Sequence, residues 1–306
     1  SEPHWYVVAM TPRFGTVLTA MVTPLTDAGE VDLNAAATLA RFLVDSGSDG
    51  LVVAGSTGEG SALANPEKLD LFAAVAGAVS VPVLAGTSSS DTYRSVNLTR
   101  QVAATGAAGV LATTPAYARP SQAGIAGHLG AMAAATDLPI MLYDIPSRTG
   151  RKIASATTIG LVHDHANVVA LKDASGDLPG AAHVKAVLGD ALDLYSGDDA
   201  MTLPFMAIGA VGIVSVAAHW AGPEFAAMVR AFEKGDLDAA RGLNERLGAS
   251  YAFESSEAYP NPMPSKAAMR HLGFAVGECR WPLGPGDADL DAAAARVVDA
   301  LMATRG

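Results

Sequence analysis

Lys172 ends a short apolar run, Val168-Val-Ala-Leu171, whose length and partial β-branching predict a buried parallel strand. The polar Asp173-Ala-Ser-Gly-Asp177 that follows predicts a loop leading into a helix. A lysine at the carboxyl end of such a strand has an aqueous cleft on one side and apolar walls on the others. Desolvation there disfavours the ammonium and lowers the pKa. The shift matters because a free lysine, with a pKa of about 10.4, is neutral only about once in 2,500 molecules at pH 7. A neutral amine attacks carbonyls, which is Schiff-base chemistry. The competing reading is that Lys172 snorkels to the surface and pairs with Asp173. Of the six lysines in the chain, the other five (Lys68, Lys152, Lys185, Lys234, Lys266) fall in helix-like or loop contexts.

Other strand ends carry chemistry of their own. Gly55-Ser56-Thr57-Gly58-Glu59 presents two hydroxyls between glycines, suited to a carboxylate or phosphate or else an ordinary glycine loop. It is not a P-loop, because no Gly-Lys-Ser/Thr follows. Thr113-Thr-Pro-Ala-Tyr117 and Tyr143-Asp-Ile-Pro-Ser-Arg148-Thr-Gly150 each bring a tyrosine to a strand end. Tyr117 and Tyr143 are either proton relays for the amine or amphipathic residues at a core rim. Arg148 either holds a carboxylate bidentately or is a plain surface arginine. Ser196-Gly-Asp-Asp199 reads as a helix cap in preference to a metal site. His163 and His165 precede the Lys172 strand, on the wrong edge for a metal centre facing that lysine. No Gly-x-Gly-x-x-Gly follows a strand, so neither a metal nor a dinucleotide cofactor is expected.

The elements that must position these residues alternate strand and helix. The expected strands are 14–23, 50–54, 81–85, 109–113, 139–143, 168–171, 192–195 and 211–216. Helices are expected over 35–46 (capped by Asp32 or Asn34), from Asn65 to about 79, from Asp91 to about 105, from Ser121, over 155–162, 178–188 and 199–208, and from Pro223. Eight strand–helix units predict right-handed crossovers and a closed (β/α)8 TIM barrel, with a doubly wound open sheet as the alternative. The division expected is an N-terminal extension over 1–11, the barrel over 12–234 and a C-terminal helical extension over 235–306 with three helical stretches.

Composition narrows the function classes. Half of the 306 residues are hydrophobic and 17% are charged, ample for one large core. A net charge of −11 works against nucleic-acid binding. No apolar run approaches a membrane span, and the first ten residues lack the basic region of a secretory signal. One cysteine, Cys279, excludes a disulfide framework and points to a cytoplasmic setting.

The motifs resemble those of the dihydrodipicolinate synthase/N-acetylneuraminate lyase family of pyruvate-dependent class I aldolases over about residues 12–300, and most of all its synthase branch. The resemblance rests on Leu18-Thr-Ala-Met-Val-Thr-Pro24, the Gly-Ser-Thr-Gly-Glu loop, Pro120-Ser-Gln122, Tyr143 with Pro-Ser-Arg-Thr-Gly, Leu171-Lys-Asp173, Ser196-Gly-Asp-Asp199 and Asn261-Pro-Met-Pro264. It implies a TIM barrel with a C-terminal helical extension, assembled as a homotetramer of two tight dimers. It also implies a lyase in which Lys172 forms an imine with pyruvate and the derived enamine attacks L-aspartate-4-semialdehyde, on the route to diaminopimelate and lysine. By the same resemblance Tyr143, Ser56 and Tyr117 move protons, with Tyr117 entering from a neighbouring subunit. Thr57 binds the pyruvate carboxylate and Arg148 that of the semialdehyde. Gly197 and Val214 line the lysine pocket through their backbones.

Three positions depart from the synthase pattern. Ser56 stands where threonine is usual, as in sialate lyases, keeping the hydroxyl but losing the methyl that fixes its rotamer. Ala116 replaces an aromatic at the expected dimer contact. Arg94 replaces an acidic residue of the cleft where lysine inhibits some members, so free lysine is expected not to inhibit. A pyruvate aldolase acting on a sugar-derived 2-oxo acid, and a catalytically retired 2-oxo-acid-binding paralogue, are the alternative readings.

Overall fold

The computed structural model describes residues 12–305; residues 1–11, read above as an extension, lie outside the described residues. Eight parallel strands close into a barrel in chain order, with β8 pairing back onto β1. They are β1 (Val17–Ala20), β2 (Gly50–Val53), β3 (Val83–Gly86), β4 (Gly109–Thr113), β5 (Ile140–Asp144), β6 (Val168–Asp173), β7 (Asp193–Ser196) and β8 (Gly212–Ser215). The first helices are α1 (Leu33–Asp45), α2 (Asn65–Ala76), α3 (Thr92–Val102), α4 (Gln122–Ala133), α5 (Pro146–Thr149), α6 (Ser155–Asp164), α7 (Leu178–Leu188) and α8 (Thr202–Ala207). After β8 come α9 (Ala218–Glu233), α10 (Leu237–Arg246), α11 (Gly248–Phe253), α12 (Met263–His271) and α13 (Ala288–Met302). The TIM barrel expected from the alternation is the fold observed.

Strand alternation divides the core. Leu18, Val52, Leu84, Leu111, Met141, Tyr143, Ala170, Tyr195 and Val214 fill the lumen. Their neighbours Leu51, Val53, Val83, Val110, Ile140, Leu142, Leu171 and Leu194 face the helices, meeting Leu39 and Leu43 of α1, Phe72 of α2 and Ile125 and Leu129 of α4. Buried on both faces, such strands carry near-continuous apolar runs, which is why they were legible.

Several boundaries differ from the sequence reading. β6 does not stop before Lys172 but runs through Asp173, because Lys172 pairs with Tyr143 and Tyr195, and Asp173 with Asp144 and Ser196. Polar residues belong to this strand because its end opens into the lumen mouth. Asp32 is the cap of α1, accepting from Ala35 N–H at 2.9 Å. Asn65 is not the cap of α2 but its first residue; Glu67 reaches back to Ala64 N–H at 2.8 Å. α9 begins before Pro223, at Ala218, and is kinked at Ala221, so the proline opens its second, regular segment. The stretch after α9 holds four helices rather than three, α11 being too short to show a periodicity.

Candidate active site

Lys172 and Tyr143 occupy inward-facing positions on adjacent strands and are each 4% exposed. Lys172 Nζ lies 4.1 Å from the centre of the Tyr143 ring, where the ring face attracts an ammonium or iminium. Asp173 points the opposite way, its Oδ1 accepting from Ser175 N–H at 2.8 Å. No carboxylate among the described residues lies in ion-pair reach of Lys172, so the pairing with Asp173 is not formed. Gly197 donates its N–H to Asp173 O at 2.7 Å. A Cβ there would stand 3.0 Å from Lys172 Cγ and 2.9 Å from Ala174 Cβ, so only glycine leaves the lysine stem undisturbed. Val214 on β8 is fully buried in the lumen cluster.

The loop after β2 places Ser56 and Thr57. It turns sharply, with positive φ at Ala54 and Glu59. A Cβ on Gly60 would lie 2.0 Å from Ala54 O, so the fold of this loop needs that glycine. Ser56 is half-buried and makes no side-chain hydrogen bond among the described residues. Thr57 is buried and accepts from Asn261 Nδ2 at 2.9 Å. Glu59, the last residue of the motif, faces away from the chemistry. It meets Lys266 Nζ of α12 at 2.6 Å and accepts from Arg280 N–H at 2.8 Å. Lys266 also donates to Glu278 O at 2.8 Å, so this buried pair clamps the loop to the C-terminal extension.

Arg148 lies on α5, which Gly150 ends in the left-handed conformation. Its Nη2 donates to the backbone oxygen of Asn261 at 3.0 Å. Asn261 thus touches both Thr57 and Arg148. Its Asn-Pro-Met-Pro motif points to no role by itself, and nothing local in the sequence pairs it with residues so distant in the chain. Just outside the barrel wall, Lys152 Nζ meets Asp144 at 3.0 Å and Ser175 Oγ at 3.0 Å, joining the ends of β5 and β6. Burial pushes the Asp144 carboxyl above its ordinary value; for Lys152 burial is opposed and outweighed by Asp144, which lifts it. A groove of about 470 Å³ beside Lys152, Arg151 and Asp177 lies on this outer side and shares no residue with the lumen.

Tyr117 is not brought to Lys172 within one chain. It is 98% exposed, at φ +70°, on a loop whose Arg119 donates to Gly150 O at 3.1 Å. The Ser196–Asp199 stretch acts as caps: Asp198 accepts from Ala200 N–H at 3.0 Å, and Asp199 accepts from Ala217 N–H at 2.6 Å at the start of α9. A buried amine over a phenol ring at the mouth of a barrel is an arrangement in which a neutral lysine can add to a carbonyl.

The chain is 46% identical over 300 residues to the 4-hydroxy-tetrahydrodipicolinate synthase of Parasynechococcus marenigrum, covering 97% of this chain and 98% of that one. It is 47% identical over 273 residues to the enzyme of that name from Moorella thermoacetica, covering 89% and 92%. The crystal structure of DHDPS from Cyanidioschyzon merolae, solved with lysine bound, superposes with a TM-score of 0.91 at 40% identity, covering 94% of this chain and 98% of that one. With residues 13–301 matching throughout, the chain belongs to the dihydrodipicolinate synthetase family.

Proposed function

We propose that this chain is a 4-hydroxy-tetrahydrodipicolinate synthase, condensing pyruvate with L-aspartate-4-semialdehyde in the biosynthesis of diaminopimelate and lysine. The observation that carries the reading is the buried Lys172 amine set over the Tyr143 ring at the mouth of the barrel. Lys172 adds to the pyruvate carbonyl and water leaves, giving an imine; loss of a methyl proton gives the enamine, whose carbon bonds to the aldehyde carbon. Tyr143 and Ser56 carry the protons of these steps, and Thr57 holds the pyruvate carboxylate. Arg148, anchored to Asn261, takes the carboxylate of the semialdehyde. Gly197 and Val214 shape the lysine pocket.

Tyr117 completes the relay from a second copy of the chain. Its full exposure in a strained backbone conformation supports this, because a lone tyrosine gains nothing there. A homotetramer built from two such dimers is the assembly proposed, working in the cytoplasm, where a single buried Cys279 stays reduced.

Borohydride reduction with pyruvate tests the chemistry: a covalent pyruvyl adduct on Lys172 is expected, and its absence would leave only a retired paralogue. A coupled assay then compares aspartate semialdehyde with sugar-acid aldols as partners. Ser56 is the observation that favours a sugar acid. The synthase reading fails if the semialdehyde is the poorer substrate while Arg148→Ala leaves activity unchanged.

A further inference from the structure

Asn261 stands between the two halves of the site, and what it does there rests on the roles just proposed for Thr57 and Arg148. Its side-chain amide donates to Thr57 Oγ1 at 2.9 Å, whereas its backbone oxygen accepts from Arg148 Nη2 at 3.0 Å. Asn261 is 8% exposed, and its Oδ1 is buried without a hydrogen-bond partner among the described residues. The Thr57 contact is therefore the one side-chain hydrogen bond Asn261 makes among them. A hydroxyl has one hydrogen to give and two lone pairs to receive with. Asn261 Nδ2 occupies a lone pair of Thr57, and no acceptor among the described residues takes the hydrogen. That hydrogen is left for an acceptor that arrives from outside the chain, and a carboxylate oxygen is the acceptor a 2-oxo acid brings.

We infer that Asn261 is a positioning residue for the 2-oxo-acid carboxylate, holding Thr57 as a hydrogen-bond donor with its side chain while its backbone separately anchors Arg148 for the second substrate. Because the two tasks fall to different groups of one residue, substitution of the side chain addresses the pyruvate half alone. A structural residue buried between two loops would instead disturb both halves together.

The test is a double-mutant cycle of Asn261→Ala with Thr57→Val in the full chain, reading kcat and the KM of each substrate. Asn261→Ala is expected to raise the pyruvate KM about tenfold, the effect of roughly one net hydrogen bond. The semialdehyde KM stays within about twofold, and in the Thr57→Val background Asn261→Ala adds no further loss. The isosteric Asn261→Asp gives a second route should the alanine variant fold poorly. It offers Thr57 an acceptor in place of a donor, draws the hydrogen away from pyruvate, and should raise the pyruvate KM at least as far. A pyruvate KM unmoved by either substitution overturns the inference, as does an equal loss with and without Thr57. If the unsubstituted chain forms no borohydride-trapped adduct, the functional reading fails first. An intact adduct with an unmoved KM defeats only the role of Asn261.

Discussion

Lys172 and Tyr143 are register partners across β5 and β6, and the ammonium end of one lies 4.1 Å from the ring centre of the other. The contact is to the ring face, not to the phenol oxygen. Two functions of the tyrosine are thereby separable: the face stabilises positive charge on the lysine nitrogen, in the ammonium and in the iminium, while the hydroxyl is left to exchange protons.

Tyr143→Phe keeps the face and deletes the hydroxyl. The expected result is a kcat lower by about 10²–10³, in the range of lost general acid–base catalysis. The pyruvyl adduct on Lys172 should still be trapped, only more slowly, as read from the mass of borohydride-quenched protein. A variant with undiminished kcat would show that the phenol moves no proton. Lys172→Ala should lose both adduct and turnover.

The barrel was legible because eight buried parallel strands write themselves as short apolar runs, most of them followed within three residues by glycine or proline. Lys172 and Tyr143 were legible for the same reason, as polar residues placed where an apolar run ends. What stayed hidden depends on contacts far apart in sequence. Thr57 and Asn261 are 204 residues apart, and Arg148 meets Asn261 across 113. No periodicity carries such information. Glu59 shows the same limit: its partner Lys266 is buried in the extension, far along the chain. The run through Lys172 to Asp173 was missed because apolarity marks where a strand is buried, not where its backbone pairing ends.

That buried pair makes a stability prediction. Among the described residues, Lys266→Met leaves the Glu59 carboxylate in the interior with only the Arg280 N–H as donor. The loss should be about 3–5 kcal/mol, the usual result of stripping one partner from a buried ion pair. Urea midpoints measure it. Removing both charges, in Glu59→Gln with Lys266→Met, should recover most of the loss, and a double variant no better than the single would refute the pairing as the cause.

His219 sets an acid limit. It is fully buried, its Nε2 accepts from Val22 N–H at 3.0 Å and its Nδ1 faces Val216 O at 2.7 Å, so it ties the segment after β1 to the start of α9 as a neutral ring protonated on Nδ1. Burial pushes its pKa down to about 4. In the unfolded chain it titrates near 6.5, so between those values the unfolded state binds a proton that the folded state does not. Stability is therefore independent of this group above about pH 6.5 and falls as pH drops toward 4, by up to about 3 kcal/mol. His219→Gln, which cannot titrate, should show a shallower fall in urea midpoint between pH 7 and pH 4.5. Parallel profiles for the two proteins would assign the acid sensitivity elsewhere.

Free lysine is expected not to inhibit. Arg94 lies in the first turn of α3 with an exposed side chain, its Nε 3.5 Å from Asp91 Oδ2 and its N–H donating to Asp91 Oδ1 at 2.9 Å. By the family resemblance it stands in the place of an acidic residue of the lysine cleft, and Ala116 in that of the aromatic beside it. An ammonium entering there meets a guanidinium in place of a carboxylate, so the charge attraction that would hold it is absent. The single partner, Asp91, already carries the cap of α3 and the arginine, so it leaves no unmatched negative charge to attract lysine. Initial rates at saturating pyruvate should therefore be the same with and without millimolar lysine. A dose-dependent fall in rate would show that lysine binds by contacts other than the acid that Arg94 replaces.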